Sequence, residues 1–265
     1  MRESADLRIR VWLPPGYDEG GLAHRVLYML DGQYAFAGDS EGTNFAADRR
    51  VGRLIRIDSI PPTMVVAIDN LGDRRFLQYM PEAVGRLGGA GVRETIDREI
   101  ARTGGAPLVS GEFVDFVSGP LRRAVDARFR TSGKSIDNAI FGASMAGVMS
   151  GALFVEAQEM FGRAACMSPN WAIYDQRMID HPRLPEVWGA YFAKLGEPAS
   201  RRLWLDHGTE MMDAGMARHQ KAIAQSLVGL GWTRGCNLQS RVYQAGHAFA
   251  QTSHQMDELL AWLLA

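Results

Sequence analysis

Apolar and polar residues alternate along 7–13, and this period of two predicts a half-buried β-strand that ends at Pro14. Six more runs are short and mostly apolar: 25–32, 63–70, 138–144, 163–169, 201–208 and 237–244. Several of these runs are typical of strands buried on both faces, as in a parallel sheet. The pattern therefore predicts seven strands, the first of them at or near an edge of the sheet.

Helical periodicity fills most of the intervals between these runs. The predicted helices cover about 44–57, 111–129, 145–160, 213–230 and 250–264. Strands and helices thus alternate along the chain. Such alternation predicts an α/β fold with a mostly parallel, twisted sheet, right-handed crossovers and helices on both faces.

Two segments interrupt the alternation, namely 71–110 and 170–200. Both contain glycines and prolines that interrupt the pattern, and only short stretches of each show helical periodicity. Long irregular insertions in compact domains are usually functional loops. We therefore expect a single domain over 1–265, with these two segments forming a cap or rim over a site.

Composition narrows the classes of partner. Lysine and arginine number 29 against 30 acidic residues, a net charge of −1, and no basic run stands out. Nucleic-acid binding depends on neutralising phosphates, so we expect no nucleic-acid partner. Residues 138–155 contain no charge, but their serines and glycines favour a buried strand followed by a buried helix over a membrane span.

The start of the chain does not resemble a secretory signal, because charged residues stand where an apolar run is needed. Two cysteines are too few for a disulfide scaffold and fit a reducing compartment. A cytoplasmic protein without membrane contact is therefore expected.

Ser144 is the strongest candidate for a nucleophile. It stands in Gly142-x-Ser144-x-Ala146, between a predicted strand and a predicted helix. A nucleophile elbow needs small residues two before and two after its serine, because strand and helix approach closely there. The start of the following helix would supply N–H groups and positive potential to a developing oxyanion.

Where a serine stands on such an elbow, the acid and then the general base follow it along the chain. Both are therefore expected after Ser144. His247 directly follows the last predicted strand, and an imidazole there can take the serine proton. Asp206, Glu210 and Asp213 all follow or end the preceding strand, and spacing alone does not choose among them. Asp213 is favoured, with Glu210 close behind, and His207 faces the same edge of the sheet.

Neither a metal nor a nucleotide cofactor is expected. HExxH and paired CxxC motifs are absent, and so is GxGxxG. Gly142 and Gly147 have the spacing of a phosphate loop, but Val148 stands where such a loop carries lysine.

Taken in order along nearly the whole chain, several motifs are similar to those of the esterase family of α/β-hydrolases that includes enterochelin esterases, S-formylglutathione hydrolases, feruloyl esterases and the antigen 85 mycolyltransferases. The motifs are VWLPPGYDE, RVLYMLDGQYAF, VVAIDN, RRFLQYMP, FGASMAG, MSPNW, LWLDHGTEMMD and AGHAF. The chain departs from the family where Ala146 replaces the second glycine of GxSxG. It also begins at what resembles the second strand of many relatives.

The resemblance implies roles for individual residues. Ser144 would be the nucleophile and His247 the base, with the N–H groups of Gln33 and Met145 forming the oxyanion hole. The family acid falls at varying offsets in the GTExxD stretch. The substrate-binding candidates come from the LDGQ loop, from the R-x-x-[EQ]-Y-x-P stretch and from aromatic or polar residues near the site: Asp31, Gly32, Tyr34, Arg75, Tyr79, Trp171 and His207.

These expectations together describe a serine carboxylic-ester hydrolase that works through an acyl-enzyme on a small-molecule ester. An acyltransferase using the same acyl-enzyme, or a non-catalytic binding protein of the same fold, is the alternative. The identity of the ester and the oligomeric state stay open, and a homodimer is among the options.

Overall fold

A computed structural model describes residues 7–19, 21–39, 43–173, 181–248 and 255–265, and a seven-stranded sheet forms its centre. The strands are β1 (Ile9–Trp12), β2 (Arg25–Leu30), β3 (Thr63–Ile68), β4 (Asn138–Ala143), β5 (Arg163–Met167), β6 (Arg202–Gly208) and β7 (Leu238–Tyr243). Their order across the sheet is β1-β3-β2-β4-β5-β6-β7. β1 runs antiparallel to β3, and every other neighbouring pair is parallel. All seven predicted strands and the mostly parallel sheet are confirmed.

Helices cover both faces of this sheet. The α-helices are α1 (Ala47–Arg56), α2 (Arg75–Tyr79), α3 (Glu82–Arg102), α4 (Ser110–Phe116), α5 (Arg122–Arg128), α6 (Met145–Glu156), α7 (Leu184–Phe192), α8 (Ala217–Val228) and α9 (Met256–Leu264). A five-residue π turn joins α4 to α5. Helices α1 and α9 pack on one face, and α2 to α8 pack on the other. Covering both faces explains why the central strands are apolar throughout.

The segment 71–110 is more helical than the sequence predicts. α3 extends over 21 residues and is interrupted only at Gly89, whose φ is +71°. Val84, Val92 and Ile96 on this helix are buried in the large core on that face of the sheet. The prediction of short helical pieces was wrong for α3, because burial of these side chains outweighs the low helix propensity of its glycines.

The uncharged stretch 138–155 is β4 followed directly by α6, as predicted. Every residue of α6 from Met145 to Val155 is buried. A helix that is apolar on all sides is explained by this position between the sheet and α7. None of the helices in the described ranges is both long enough and apolar enough to cross a membrane.

Arg163, at the start of β5, fixes the C-terminal helix from inside the protein. Its side chain is almost fully buried and donates hydrogen bonds to the carbonyls of Ile136 and Leu263, each at 2.7 Å. Burial and the nearby Arg25 and Arg202 lower the pKa of Arg163 to about 10. The guanidinium is therefore charged at neutral pH, and it stabilises the carbonyls at the end of α9.

We expect Arg163→Met to lower the free energy of unfolding by about 3 kcal/mol, because buried carbonyls lose charge-assisted hydrogen bonds. Urea titration followed by circular dichroism measures this quantity. Arg86→Met is the matched control, since the ion pair between Arg86 and Glu82 is exposed and worth under about 1 kcal/mol. Equal stabilities for the two variants would contradict the assigned role of Arg163.

Candidate active site

Ser144 occupies a sharp turn between β4 and α6. Its φ is +58°, a value that residues with a side chain seldom adopt. Gly142 makes the turn feasible, since a Cβ at that position would lie 2.2 Å from the carbonyl oxygen of Ala146. The N–H of Ser144 donates to the carbonyl of Met167 at 3.0 Å, which ties the turn to the end of β5. The local geometry is that of the predicted elbow.

His247 lies on the loop after β7 and contacts two of the predicted residues. Its Nε2 is 2.8 Å from Oγ of Ser144, and its Nδ1 is 2.6 Å from Oδ1 of Asp213. An ionised carboxylate can only accept hydrogen bonds, so Nδ1 carries the proton and Nε2 is left to accept from the serine hydroxyl. This tautomer lets the imidazole take up the serine proton.

Asp213 lies in the 3₁₀ turn Met211–Met216 and is almost completely buried. Its Oδ2 accepts hydrogen bonds from the Ser168 hydroxyl and from the N–H of Gly208, the latter at 3.0 Å. Burial alone would raise the pKa of Asp213, but the hydrogen bonds from His247 and Ser168 outweigh it and lower that pKa. Asp213 is therefore ionised at neutral pH, beside the imidazole.

The two other candidate acids lie elsewhere. Glu210 is exposed, and its contact with the His247 loop is a backbone hydrogen bond from its N–H to the carbonyl of Ala245 at 3.1 Å. Asp206 is inside β6 and accepts from the N–H of Ser168 at 2.8 Å and from the indole of Trp204 at 2.7 Å. Complete burial raises the pKa of Asp206 to about 7. Of the three carboxylates, Asp213 is the one bonded to the imidazole.

The loop after β2 brings a second set of backbone N–H groups toward the same edge of the sheet. It forms the 3₁₀ turn Gly32–Tyr34, which contains Gln33. At Gly32 a Cβ would lie 2.6 Å from the backbone nitrogen of Ile68, so the loop can approach β3 only with glycine there. Met145 is the first residue of α6, where N–H groups have no acceptor within the helix.

Asp31 and Arg75 hold this loop in place. The Nε of Arg75 donates to Oδ1 of Asp31 at 2.9 Å, and its terminal nitrogen reaches the carbonyl of Ala143 at 3.3 Å. Asn70 also donates to Asp31, at 2.6 Å, and the N–H of Asp31 donates to the hydroxyl of Tyr79 at 3.2 Å. Burial alone would lower the pKa of Arg75, but hydrogen bonding to Asp31 raises it. One guanidinium thus connects the loop after β2 to the residue before Ser144.

A cavity of about 340 Å³ opens onto Ser144 and His247. Its volume is within the usual range of small-molecule sites. The residues that line it are Asp31, Tyr34, Thr43, Phe45, Asn70, Arg75, Ala143, Ser144, Ser168 and His247. Aromatic rings and polar groups therefore both face the space in front of the serine.

Four predicted substrate-binding residues do not line this cavity, and one of them is Gly32, which is buried in the turn after β2. Tyr79 is fully buried, and its hydroxyl instead supports Asp31. Trp171 is fully buried against Trp188 and Phe192. His207 is also buried, with its Nδ1 at 2.8 Å from the carbonyl oxygen of the next residue. Among the described residues of 71–110 and 170–200, only Arg75 lines the cavity, while α3 packs against α7 and α7 packs against α8.

Five residues around the cavity were not among the predicted site residues, and one of them, Ala143, ends β4 directly before Ser144. Asn70 and Ser168 each follow a parallel strand, β3 and β5, and the carboxyl ends of parallel strands meet at one edge of a sheet. That position was a signal that could have found them. Thr43 and Phe45 come from a loop with no comparable pattern.

A metal site is not apparent in the described part of the chain. Over residues 7–19, 21–39, 43–173, 181–248 and 255–265, no three His, Cys, Asp or Glu side chains form a group able to hold an ion.

Comparisons with known proteins identify similarities of sequence and of fold. A family model described as "Putative esterase" matches residues 4–263. The chain is similar to an IroE-like serine hydrolase from Shewanella oneidensis, with 19% identity and a TM-score of 0.67 over 97% of this chain and 75% of that one. It is also similar to the enterobactin esterase FES from Shigella flexneri crystallised with enterobactin, at 15% identity and a TM-score of 0.66, covering 97% of this chain but 55% of that one.

A third similar structure is the BES protein from Bacillus cereus, with 15% identity and a TM-score of 0.67 over 100% of this chain and 91% of that one. At these identities the structural likeness shows a shared α/β-hydrolase fold. A search of curated protein sequences returned no significant match.

Proposed function

The chain belongs to the esterase family whose model spans it, and from this we propose that it hydrolyses carboxylic esters through a covalent acyl-enzyme on Ser144. Membership makes it an esterase. The residue roles and the intermediate are inferred from the site. The observation that carries the proposal is the continuous chain of hydrogen bonds from Ser144 through His247 to Asp213.

In the first half of the proposed reaction, the Ser144 hydroxyl attacks the ester carbonyl carbon while its proton passes to Nε2 of His247. Asp213 stabilises the imidazolium that forms, and the N–H groups of Gln33 and Met145 bind the oxyanion. The bond to the leaving alcohol then breaks, and His247 returns the proton to the alcohol oxygen. Water then attacks the acyl carbon while His247 takes a proton from it. The bond to Ser144 breaks, His247 returns the proton to the serine oxygen, and the acid is released.

The lining of the cavity favours a compact ester. Tyr34 and Phe45 offer aromatic surface. The ring of Phe45 packs edge-to-face on the ring of Phe141, with 5.2 Å between the ring centroids. Asn70 and Thr43 also line the cavity, and their side chains carry hydrogen-bonding groups. We propose esters with a small acyl or aromatic group as the substrate class.

Two other functions use the same fold. An acyltransferase would pass the acyl group to an alcohol instead of water, and a binding protein would form no acyl-enzyme at all. The connected Ser144, His247 and Asp213 favour catalysis over binding alone, because holding a serine at positive φ is costly without a use for its hydroxyl.

A labelling and partition experiment separates these functions. We expect a fluorophosphonate probe to label the folded wild type at Ser144, and p-nitrophenyl acetate with added glycerol to give mainly acetate. Mainly glyceryl ester would indicate the acyltransferase. Absence of labelling at Ser144 in folded protein would indicate the binding protein and would overturn the proposal.

Arg75 provides a separate prediction within this mechanism, because it fixes the loop that carries Gln33. Arg75→Met should lower kcat for p-nitrophenyl acetate by about 10²-fold, the usual effect of losing one oxyanion donor, with a smaller change in KM. Arg75→Lys should restore little, since a lysine cannot reach both Asp31 and the carbonyl of Ala143.

The neighbouring Arg74 is exposed and gives the matched control. Arg74→Met should keep kcat within about twofold of the wild type, as expected of a surface change. If Arg75→Met hydrolyses the ester as fast as Arg74→Met does, the loop does not depend on Arg75.

A further inference from the structure

Ser168 lies directly beside the candidate triad of Ser144, His247 and Asp213, yet the mechanism above assigns it no part. It directly follows β5, and the residue is almost fully buried. Its hydroxyl donates to Oδ2 of Asp213, the oxygen that does not face His247. The same Oγ is 3.4 Å from Nδ1 of His247. Ser168 therefore touches both groups whose alignment sets the proton acceptor.

The backbone of Ser168 is held in an uncommon conformation. Its φ is +42°, where a side chain is crowded by the backbone. Its N–H donates to Oδ1 of Asp206 at 2.8 Å, and Asp206 is itself fixed by the indole of Trp204. Two buried hydrogen bonds thus hold the turn that aims the Ser168 hydroxyl at Asp213. A turn kept in a strained conformation by buried contacts is typical of a functional constraint.

We propose that Ser168 is a positioning residue that aligns Asp213 with the His247 imidazole, and that Asp206 anchors Ser168 in the orientation required. A carboxylate has two oxygens and can rotate about its Cβ–Cγ bond. With Oδ2 held by Ser168 and by the N–H of Gly208, Oδ1 stays directed at Nδ1 of His247. The inference rests on the proposed function, because it concerns the same reaction.

Alignment affects the chemical step more than substrate binding. Ser168→Ala should therefore lower kcat for p-nitrophenyl acetate by about 10-fold while KM stays within about twofold. The effect should depend on Asp213. In an Asp213→Ala background, Ser168→Ala should change kcat by less than about twofold, because the group it positions is gone.

Ser150→Ala is the matched control. Ser150 is a fully buried serine of α6 whose hydroxyl has no hydrogen-bond partner in the described part of the chain. We expect this variant to keep the wild-type kcat. Thermal melting of all variants reports folding, and the downfield proton resonance of the imidazole reports alignment without any substrate. That resonance should weaken or shift in Ser168→Ala and stay unchanged in Ser150→Ala.

Two outcomes would overturn the inference. One is a folded Ser168→Ala variant with wild-type kcat and an unchanged imidazole resonance. The other is an equal loss of kcat on replacing Ser168 with and without Asp213, because a residue acting through Asp213 cannot act in its absence. A fully active Ser144→Ala variant would instead remove the proposed function itself, so the two failures are distinguishable.

Discussion

Replacing Ser144 with alanine is expected to lower kcat for p-nitrophenyl acetate by about 10⁵-fold to 10⁶-fold, because the substitution removes the atom that forms the acyl bond. The hydroxyl is 2.8 Å from Nε2 of His247, so this nitrogen is placed to take the serine proton as the acyl bond forms. Residual hydrolysis would come from the oxyanion hole and from binding alone. Steady-state kinetics on purified protein, with an active-site titration of the wild type, measure the ratio.

The fold of the Ser144→Ala variant should be preserved. Alanine at a φ of +58° is strained in the same way as serine, so the melting temperature should stay close to that of the wild type. Ser150→Ala, on the helix that follows Ser144, controls for the loss of a serine hydroxyl. Similar rates for folded Ser144→Ala and the wild type would exclude Ser144 as nucleophile.

Asp213→Asn should produce the second largest loss, about 10³-fold to 10⁴-fold in kcat, with little change in KM. The amide can donate to Nδ1 of His247, which would favour the wrong tautomer and leave Nε2 protonated. Asp213 also accepts from Gly208 and Ser168, and an amide nitrogen on that side would meet two donors. Comparison of kcat at neutral pH gives the result.

Glu210→Gln is the matched control, since Glu210 is the other acid that the sequence left open. Its side chain is exposed, and its contact with the His247 loop comes from the backbone. Wild-type activity is expected. A larger loss from Glu210→Gln than from Asp213→Asn would mean that the acid exchanges its role on substrate binding and that the geometry described above is not the reacting one.

Much of the fold could be predicted from the sequence because each strand is a short apolar run bounded by turn residues. The antiparallel β1 shows the alternation of a partly exposed strand, and β2 to β6 show the continuous apolar character of buried parallel strands. The same logic located Ser144 and His247, since both stand where a predicted strand ends. α3 was harder to predict, because its glycines lower its helix propensity and packing against the core stabilises it.

The sequence alone could not identify which carboxylate contacts His247. Asp206, Glu210 and Asp213 lie within eight positions, and their separation along the chain does not reveal that β6 extends to Gly208. Asp206 is therefore inside the sheet, Glu210 is on the surface, and Asp213 is on the turn that faces His247. Ser168 was missed for the same kind of reason, because its contacts join the end of β5 to residues 45 and 79 positions later.

Rapid-quench mass spectrometry of the acyl-enzyme tests the central claim most directly. After mixing with excess p-nitrophenyl acetate and quenching in acid, one acetyl group per chain should be found on the peptide that contains Ser144, together with a burst of p-nitrophenol of the same size. Hydrolysis without any covalent acetyl group, or with acetyl on a different residue, would contradict the account.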